Sequence, residues 1–306
     1  MDVSRGHEGV NRAGDASFGA RSLALERAGD AVSCTPAESC VIETAVEFAC
    51  LIEPGVSART GAASAALTGQ FRDRSLIVLS PHFDDACFSL GGFLKARGAP
   101  GVLINLFTWG SYVVRPDLAR AGLPRDGVRC IRDSEDREFA RACGLTRHDL
   151  ECEEPVLRGR RPSDMTGLAD DVGQIEQRLL ARLSALADGE GTRPALFAPL
   201  GIGRHVNHRA AAEIVLSNLA RLIPFFEIHF YEELPYAASP FHRLAALKRL
   251  QRRAGPLRRQ VLPVNWHEKR ELIGIYQSQL RAPPSLLRFR PAALPLAAHE
   301  AFWSLT

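Results

Sequence analysis

Leu76-Ile77-Val78-Leu79-Ser80-Pro81-His82-Phe83-Asp84-Asp85-Ala86 opens the patterned part of this chain. Four consecutive apolar residues followed by the breaker pair Ser80-Pro81 read as a short strand of the kind buried in a parallel sheet. The polar residues come directly after it. A histidine and two adjacent carboxylates at the mouth of a buried strand are costly to desolvate unless a cation or a reaction uses them. Leu90-Gly91-Gly92 follow, and Gly91–Arg97 reads as the opening of the next helix.

Outward from this stretch, strands and helices alternate. Val102-Leu103-Ile104-Asn105-Leu106-Phe107 is a second strand, and Ser134–Cys143 a helix ended by Gly144. Val172, Ile175, Leu179, Leu183 and Leu186 recur at helical spacing, which predicts an amphipathic helix over Asp171–Ala187. Ala195–Leu200 is a third strand and Arg209–Arg221 a helix. In the fourth strand, Phe225–Tyr231, Phe226, Ile228 and Phe230 alternate with Glu227 and His229. This rhythm predicts an α/β fold that is Rossmann-like, a mainly parallel sheet with helices on both faces. Such sheets bind ligands at the carboxyl ends of their strands. Val113–Val128, with two prolines and two glycines, reads as a long loop beyond the second strand, a place for a lid or substrate wall.

The remaining composition narrows the function. The chain has 306 residues, 46% hydrophobic and 24% charged, ordinary for a soluble globular protein with room for a large core. A net charge of +3 is too small to argue for nucleic acid. No apolar run approaches the ~20 residues of a membrane-spanning helix. Met1-Asp2-Val3-Ser4-Arg5-Gly6-His7 has no apolar core behind its charges, so no secretory signal is expected. Seven cysteines without a CxxC pair read as reduced thiols of a cytoplasmic protein. Residues 1–70, rich in Gly, Ala, Ser and Arg, read as an amino-terminal extension, partly disordered or loosely packed, with one short helix around Ala37–Leu51. Residues 71–306 are expected to form the α/β domain. Residues 242–266 hold seven Arg/Lys and no acid, and Arg243, Lys248, Arg249, Arg252 and Arg253 fall opposite Leu244, Leu247 and Leu250. That basic face reads first as solvated helix surface. The sharper reading is an attractor for an anionic substrate such as a phosphorylated or nucleotide-linked sugar.

A second cluster, Gly203-Arg204-His205-Val206-Asn207-His208, also follows a predicted strand. Zinc hydrolysis uses about three N or O ligands and leaves one coordination position open. It also needs a carboxylate that is not a ligand to take a proton from water. One tight turn can aim His82 and Asp85 at one ion, with His208 arriving from the distant strand end. Asp84 then remains free as base, and His205 lies close enough to stabilise an oxyanion or protonate a leaving amine. Each cluster has a structural alternative, since a histidine near a strand end is often merely hydrogen-bonded and an Asp pair often caps a helix. Cys87 reads as a small buried hydrophobe.

These motifs resemble the PIG-L/LmbE-like de-N-acetylases, whose hallmark is a strand, a His-x-Asp-Asp motif with a Gly-rich helix start, and a downstream His-x-Asp-His. Supporting similarities are Arg132-Asp133-Ser134-Glu135-Asp136, Phe230-Tyr231-Glu232-Glu233-Leu234-Pro235-Tyr236, and Lys269 through Tyr276-Gln277-Ser278-Gln279. The resemblance covers roughly residues 74–282. It implies a zinc-dependent hydrolase, or one using another divalent metal, that removes an N-acetyl group from an amino sugar such as an N-acetylglucosamine conjugate. His82, Asp85 and His208 would be the metal ligands, Asp84 the base, and His205 the stabiliser of the tetrahedral intermediate. Arg132 would hold substrate hydroxyls or phosphate, with Phe83, Asn207 and Trp109 as further substrate contacts. Three positions depart from the pattern: Phe83 stands for the common proline, Ala86 for the frequent glutamate, and Asn207 for the aspartate of His-x-Asp-His. Asparagine can hold the His205 ring by a hydrogen bond but adds no negative charge, so His205 should protonate less readily.

Two other functions compete. A metal-containing carbohydrate-binding protein of the same fold, catalytically weakened at Asn207, would bind sugar without hydrolysis. A nucleotide-cofactor oxidoreductase needs a Gly-x-Gly-x-x-Gly turn after the first strand. The Ser-Pro-His-Phe-Asp-Asp turn replaces it, and its carboxylates would repel a pyrophosphate.

Overall fold

The computed structural model describes residues 69–187 and 193–306. Residues 1–68, and with them the helix expected over Ala37–Leu51, lie outside the described residues. One seven-stranded sheet organises the rest, in the order β3-β2-β1-β4-β5-β7-β6. Its strands are β1 (Leu76–Ser80), β2 (Gly101–Trp109), β3 (Leu145–Glu153), β4 (Ala195–Pro199), β5 (Glu227–Tyr231), β6 (Leu257–Pro263) and β7 (His299–Leu305). The run from β3 to β5 is parallel throughout, whereas β7 lies antiparallel to both β5 and β6. Every residue of β1 and β4 is buried, as expected of strands covered on both sides.

The main helices are α1 (Asp85–Arg97), α2 (Arg125–Cys143), α3 (Leu168–Ala187), α4 (Val206–Ser217), α5 (Pro240–Ala254) and α6 (Trp266–Ile275). Right-handed crossovers from β1 to β2 to β3 put α1 and α2 on one face. The chain then passes back across β1 to β4, so α3 and α4 cover the opposite face. The packing agrees: α1, α2 and α6 touch one another, while α3 packs on α4 and α4 on α5. The reversal of strand order falls between β1 and β4, and the crevice of such a sheet opens there.

Several boundaries differ from the sequence reading for physical reasons. Helix α1 begins at Asp85 rather than Gly91, because the turn after β1 leads straight into it and the glycine pair is helical. Gly92 fits there because any Cβ would lie 2.7 Å from Val264 Cγ1. Helix α2 begins at Arg125, and a short helical turn at Pro116–Arg120 occupies part of the expected loop. It ends where expected, at Gly144 with φ 68°, a left-handed conformation that glycine adopts without strain. Helix α4 starts at Val206, so Val206-Asn207-His208 form its first turn instead of preceding it. Strands β3, β6 and β7 were not anticipated. β3 and β6 are sheet edges, β3 with an arginine and acids and β6 with two arginines and a glutamine, between few buried residues, so they lack the apolar run that marks β1.

The basic segment is corrected most clearly. Leu244 is exposed, and α5 buries Ala246, Leu247 and Leu250. Arg243 pairs with Glu232, Arg249 donates to the Leu200 and Gly201 carbonyls, and Arg253 pairs with Glu213. Three of the five basic residues of the supposed anion attractor are consumed holding the fold. The described cysteines, Cys87, Cys130, Cys143 and Cys152, are free thiols. No helix among the described residues is long and apolar enough to cross a membrane.

Candidate metal centre

The turn after β1 is held from several sides. Ser80 donates its hydroxyl to the His82 carbonyl and accepts the Ala86 N–H at 3.0 Å. The Pro81 carbonyl accepts the Phe107 N–H at 2.9 Å, and the Tyr276 hydroxyl lies 2.9 Å from the Phe83 carbonyl. Inside this frame Asp85 Oδ2 accepts the His82 backbone N–H at 2.9 Å and lies 3.0 Å from His82 Nδ1. Asp84 occupies the position before the helix where an aspartate commonly caps, yet its side chain makes no capping hydrogen bond. The capping alternative therefore fails for Asp84, whose carboxylate faces Arg132 at 3.7 Å instead.

From the end of β4, a loop through Gly201 and Gly203 carries the chain to α4. Both glycines are left-handed, with φ 73° and 86°. The loop wraps the Glu233 carboxylate, which accepts the N–H groups of Leu200, Gly201 and Ile202 at 3.1, 2.7 and 3.1 Å. Glu233 also lies 3.4 Å from His208 Nδ1. His208 Nε2 thereby faces Asp85, 3.3 Å from its Oδ2.

The three residues thus converge. One donor atom each from His82, Asp85 and His208 lie within 4.8 Å of one another, all buried. His82 Nε2 and His208 Nε2 have no hydrogen-bond partner, an expensive state for buried ring nitrogens. Two imidazoles and one carboxylate are a donor set that catalytic metal sites use with a fourth position open. The residues present could therefore hold a divalent metal. Glu233 fits the role of the carboxylate that orients a ligating histidine through its other ring nitrogen.

Charge at the centre follows from these contacts. Burial would raise the Asp85 carboxyl, but His208 and His82 outweigh it and hold it well below the usual carboxylate range. Burial and the adjacent Asp85 charge push the Asp84 carboxyl upward, against Arg132 and His82. Burial opposes protonation of His208, yet Asp85 and Glu233 win and raise it. The negative field that favours a proton on His208 equally favours a cation beside it. His205 is pushed down to about 2 by burial and by His82 and His208.

Two connected clefts reach the centre. The smaller, about 270 Å³, is lined by His82, Asp84, Asp85, Arg132, Glu154 and His205 among others. A larger one of about 640 Å³ shares Asp84, Asp85, Tyr112, Tyr236 and Gln279 with it. The structure thus brings together His82, Asp84, Asp85, Arg132, His205 and His208. Arg132 is buried, donates to Glu154 at 2.7 Å and lies 3.7 Å from Asp84. The other three expected substrate contacts fall elsewhere. Phe83 is buried in the core, with the Arg147 guanidinium 5.3 Å over its ring. Trp109 ends β2 and is stacked by Arg125 and Arg129 rather than lining a cleft. Asn207 is buried on α4, and both its side-chain polar atoms lack partners, as does His205 Nδ1. The hydrogen bond that Asn207 could give the His205 ring is therefore not made: His205 is the extended residue before the helix, whereas Asn207 is already helical. Glu233, Glu154 and Tyr112 were missed. For Glu233 the signal was present, a pair of acids after an alternating strand, the same pattern that singled out Asp84-Asp85.

A doubly wound sheet with a two-histidine, one-carboxylate centre at its switch point is the class that fold and site define. No family model matches the chain. In sequence it is 33% identical over 175 residues to 2'-N-acetylparomamine deacetylase of Streptomyces fradiae, a match covering 54% of this chain and 58% of that protein. The match thus spans less than two thirds of the relative's length. In structure it resembles the antimicrobial reagent A40926 pseudoaglycone deacetylase Dbv21, with a TM-score of 0.53 and 22% identity over 76% of this chain and 97% of that one. It also resembles a deacetylase of the teicoplanin biosynthesis pathway solved with teicoplanin, with a TM-score of 0.51 and 19% identity over 75% and 97%. The chain has the α/β fold of these deacetylases.

Proposed function

We propose that the protein is a zinc-dependent N-deacetylase that frees the amine of an N-acetylated amino sugar or sugar conjugate. One observation carries the reading: His82, Asp85 and His208 converge from two strand ends with donor atoms within 4.8 Å. The activity named for the Streptomyces fradiae relative supports the choice of reaction. His82, Asp85 and His208 would hold the metal. When bound, it acts as a Lewis acid that makes water more acidic and polarises the amide carbonyl.

The chain's own residues supply the rest. Asp84 lines both clefts without serving as a cap, so its carboxylate can take the proton from water at one oxygen while Arg132 fixes its orientation. His205 lines the smaller cleft, where a ring N–H can donate to the carbonyl oxygen as negative charge develops on it. Glu233 keeps His208 in one orientation. Tyr112 and Tyr236, shared by the two clefts, give the sugar faces to pack on. In this reading residues 71–306 form the catalytic domain and residues 1–70 an appendage. The free thiols of the described cysteines support a reducing, cytoplasmic compartment.

The test is acetate release by metal-loaded protein from a panel of N-acetylglucosamine conjugates, with zinc compared against other divalent ions. One free amine per acetate is expected. Full metal occupancy with no acetate from the whole panel overturns the reading, and sugar binding without turnover would favour the weakened carbohydrate-binding alternative.

A further inference from the structure

The two clefts contain three arginines, and only one is neutralised. Arg132 pairs with Glu154 and Asp84. Arg281 and Arg288 line the larger cleft together with Asp84 and Asp85. Among the described residues, neither of their side chains makes a hydrogen bond or ion pair. Elsewhere on the fold, arginines turned inward are engaged, Arg147 with Asp133, Asp136 and Asp149 and Arg97 with backbone carbonyls, whereas Arg281 and Arg288 are exposed. Two unmatched guanidiniums on one concave wall are a local excess of positive charge facing the place a ligand must enter.

The wall that carries them is built rather than draped. At its start, Ser278 gives its N–H and hydroxyl to Glu135 at 2.8 and 2.6 Å. At its end, Phe289 is buried edge-on against Phe88 at 5.3 Å between ring centres. Between them Pro283 and Pro284 fix the backbone, and the Arg288 and Phe289 N–H groups both close onto the Ser285 carbonyl. Such a segment presents its side chains with little ordering left to lose on binding.

We propose that this wall binds an anionic group, a carboxylate or phosphate, on the part of the substrate remote from the amide that is cleaved. The proposal rests on the deacetylase reading for the identity of the reacting end. In that reading the reacting end is a neutral amide, and Arg281 and Arg288 line only the larger cleft, which places the anion on the distal part. Guanidinium is matched to such a group, because its planar fork donates to two oxygens at once. A cleft of about 640 Å³ has the size of a site for a ligand well beyond one sugar ring. The anion preference expected from the basic α5 surface is thereby moved to a different element, since Arg243, Arg249 and Arg253 are already engaged.

The experiment compares binding of three free-amine glucosaminides, with methyl, carboxymethyl and phosphoethyl aglycones, to zinc-loaded protein by calorimetry. Binding of these products needs no turnover. We expect at least one anionic form to bind about tenfold tighter than the methyl form, as two exposed ionic contacts would give. That ratio should fall with added salt and drop to within about twofold in Arg281→Gln/Arg288→Gln. The control Lys248→Gln/Arg252→Gln, on the exposed face of α5, should keep it. The carboxymethyl and phosphoethyl arms show which anion the wall accepts. Equal affinity for all three compounds, or a preference that survives the first double variant, or one lost equally in the control, overturns the proposal. If the preference appears as expected but the N-acetyl forms release no acetate, the deacetylase reading fails and the anion wall stands.

Discussion

Two buried polar clusters lie along the same sheet, and they treat their atoms in opposite ways. Towards the β6 edge, Glu232 accepts two hydrogen bonds from Arg243, at 2.7 and 2.8 Å, one from Arg259 at 3.1 Å and one from Trp303 at 2.8 Å. Nearby, Lys269 donates to Glu300 at 2.6 Å, and Glu300 also takes the backbone N–H groups of Gly92 and Phe93 at 2.9 and 2.8 Å. None of the carboxylate or ammonium atoms there is left without a partner. At the β1–β4 switch point, by contrast, His82 Nε2, His205 Nδ1 and His208 Nε2 all lack a hydrogen bond, although Asp85 lies 3.3 Å from His208 Nε2. A fold that satisfies buried polar atoms so completely in one cluster and leaves them without hydrogen bonds in another singles out the second as the candidate for a metal or a reaction. Glu232 and Glu233 mark the divide within one dipeptide, the first closing the structural network and the second serving His208.

The largest effect that would sharpen this contrast is on activity. Asp84→Asn should lower kcat by about 10²–10⁴-fold, the usual worth of a general base, while metal content measured by atomic emission stays full. His82→Ala should instead lose the metal. An Asp84→Asn protein that turns over normally would sink the assignment of the base.

On the structural side, Lys269→Met strands the buried Glu300 charge and should cost about 3 kcal/mol in urea unfolding. Lys269→Met/Glu300→Leu should recover part of that, because no lone charge then remains. A single variant as stable as wild type would mean that the two clusters do not differ as described.

Metal should stabilise one cluster only. At a free zinc concentration of 100 times Kd, binding raises the unfolding free energy by about 2.7 kcal/mol. The gain should show as a higher melting temperature that disappears on chelation and in His208→Ala. A gain that persists in His208→Ala would place the ion elsewhere.

The smallest effect concerns pH. Burial would raise the Glu232 carboxyl, but Arg243 and Arg259, with Trp303, outweigh it and hold it below its ordinary range. A carboxyl depressed by folding adds stability above the unfolded value and loses it as pH falls through the folded one. Wild type should therefore exceed Glu232→Gln by about 1 kcal/mol at neutral pH, and the gap should close below about pH 4. Parallel pH curves for the two proteins would contradict the pairing.

Much of this was legible in advance, and unevenly. β1, β4 and the amphipathic α3 were readable because a continuous apolar run and a helical period are local signals. His82, Asp84, Asp85, His205 and His208 were readable because polar residues directly after buried strands conflict with the cost of burying them. The edges β3 and β6 were not, since an edge strand pairs on one side only and tolerates charged and polar residues along its length. Trp109 and Phe83 were misplaced for a related reason: adjacency in sequence to the candidate site says nothing about which face a side chain takes.

By itself the sequence determined the period of each segment and the chemistry available at two strand ends, since both depend on residues near one another in the chain. The tertiary structure decided that β1 and β4 are neighbours, which alone brings His208 within 3.3 Å of Asp85. It also decided which acid each arginine meets, consuming Arg243 and Arg249 in the fold while leaving Arg281 and Arg288 on the cleft wall. Partnership between distant charges is set by packing geometry, and no local pattern carries that information.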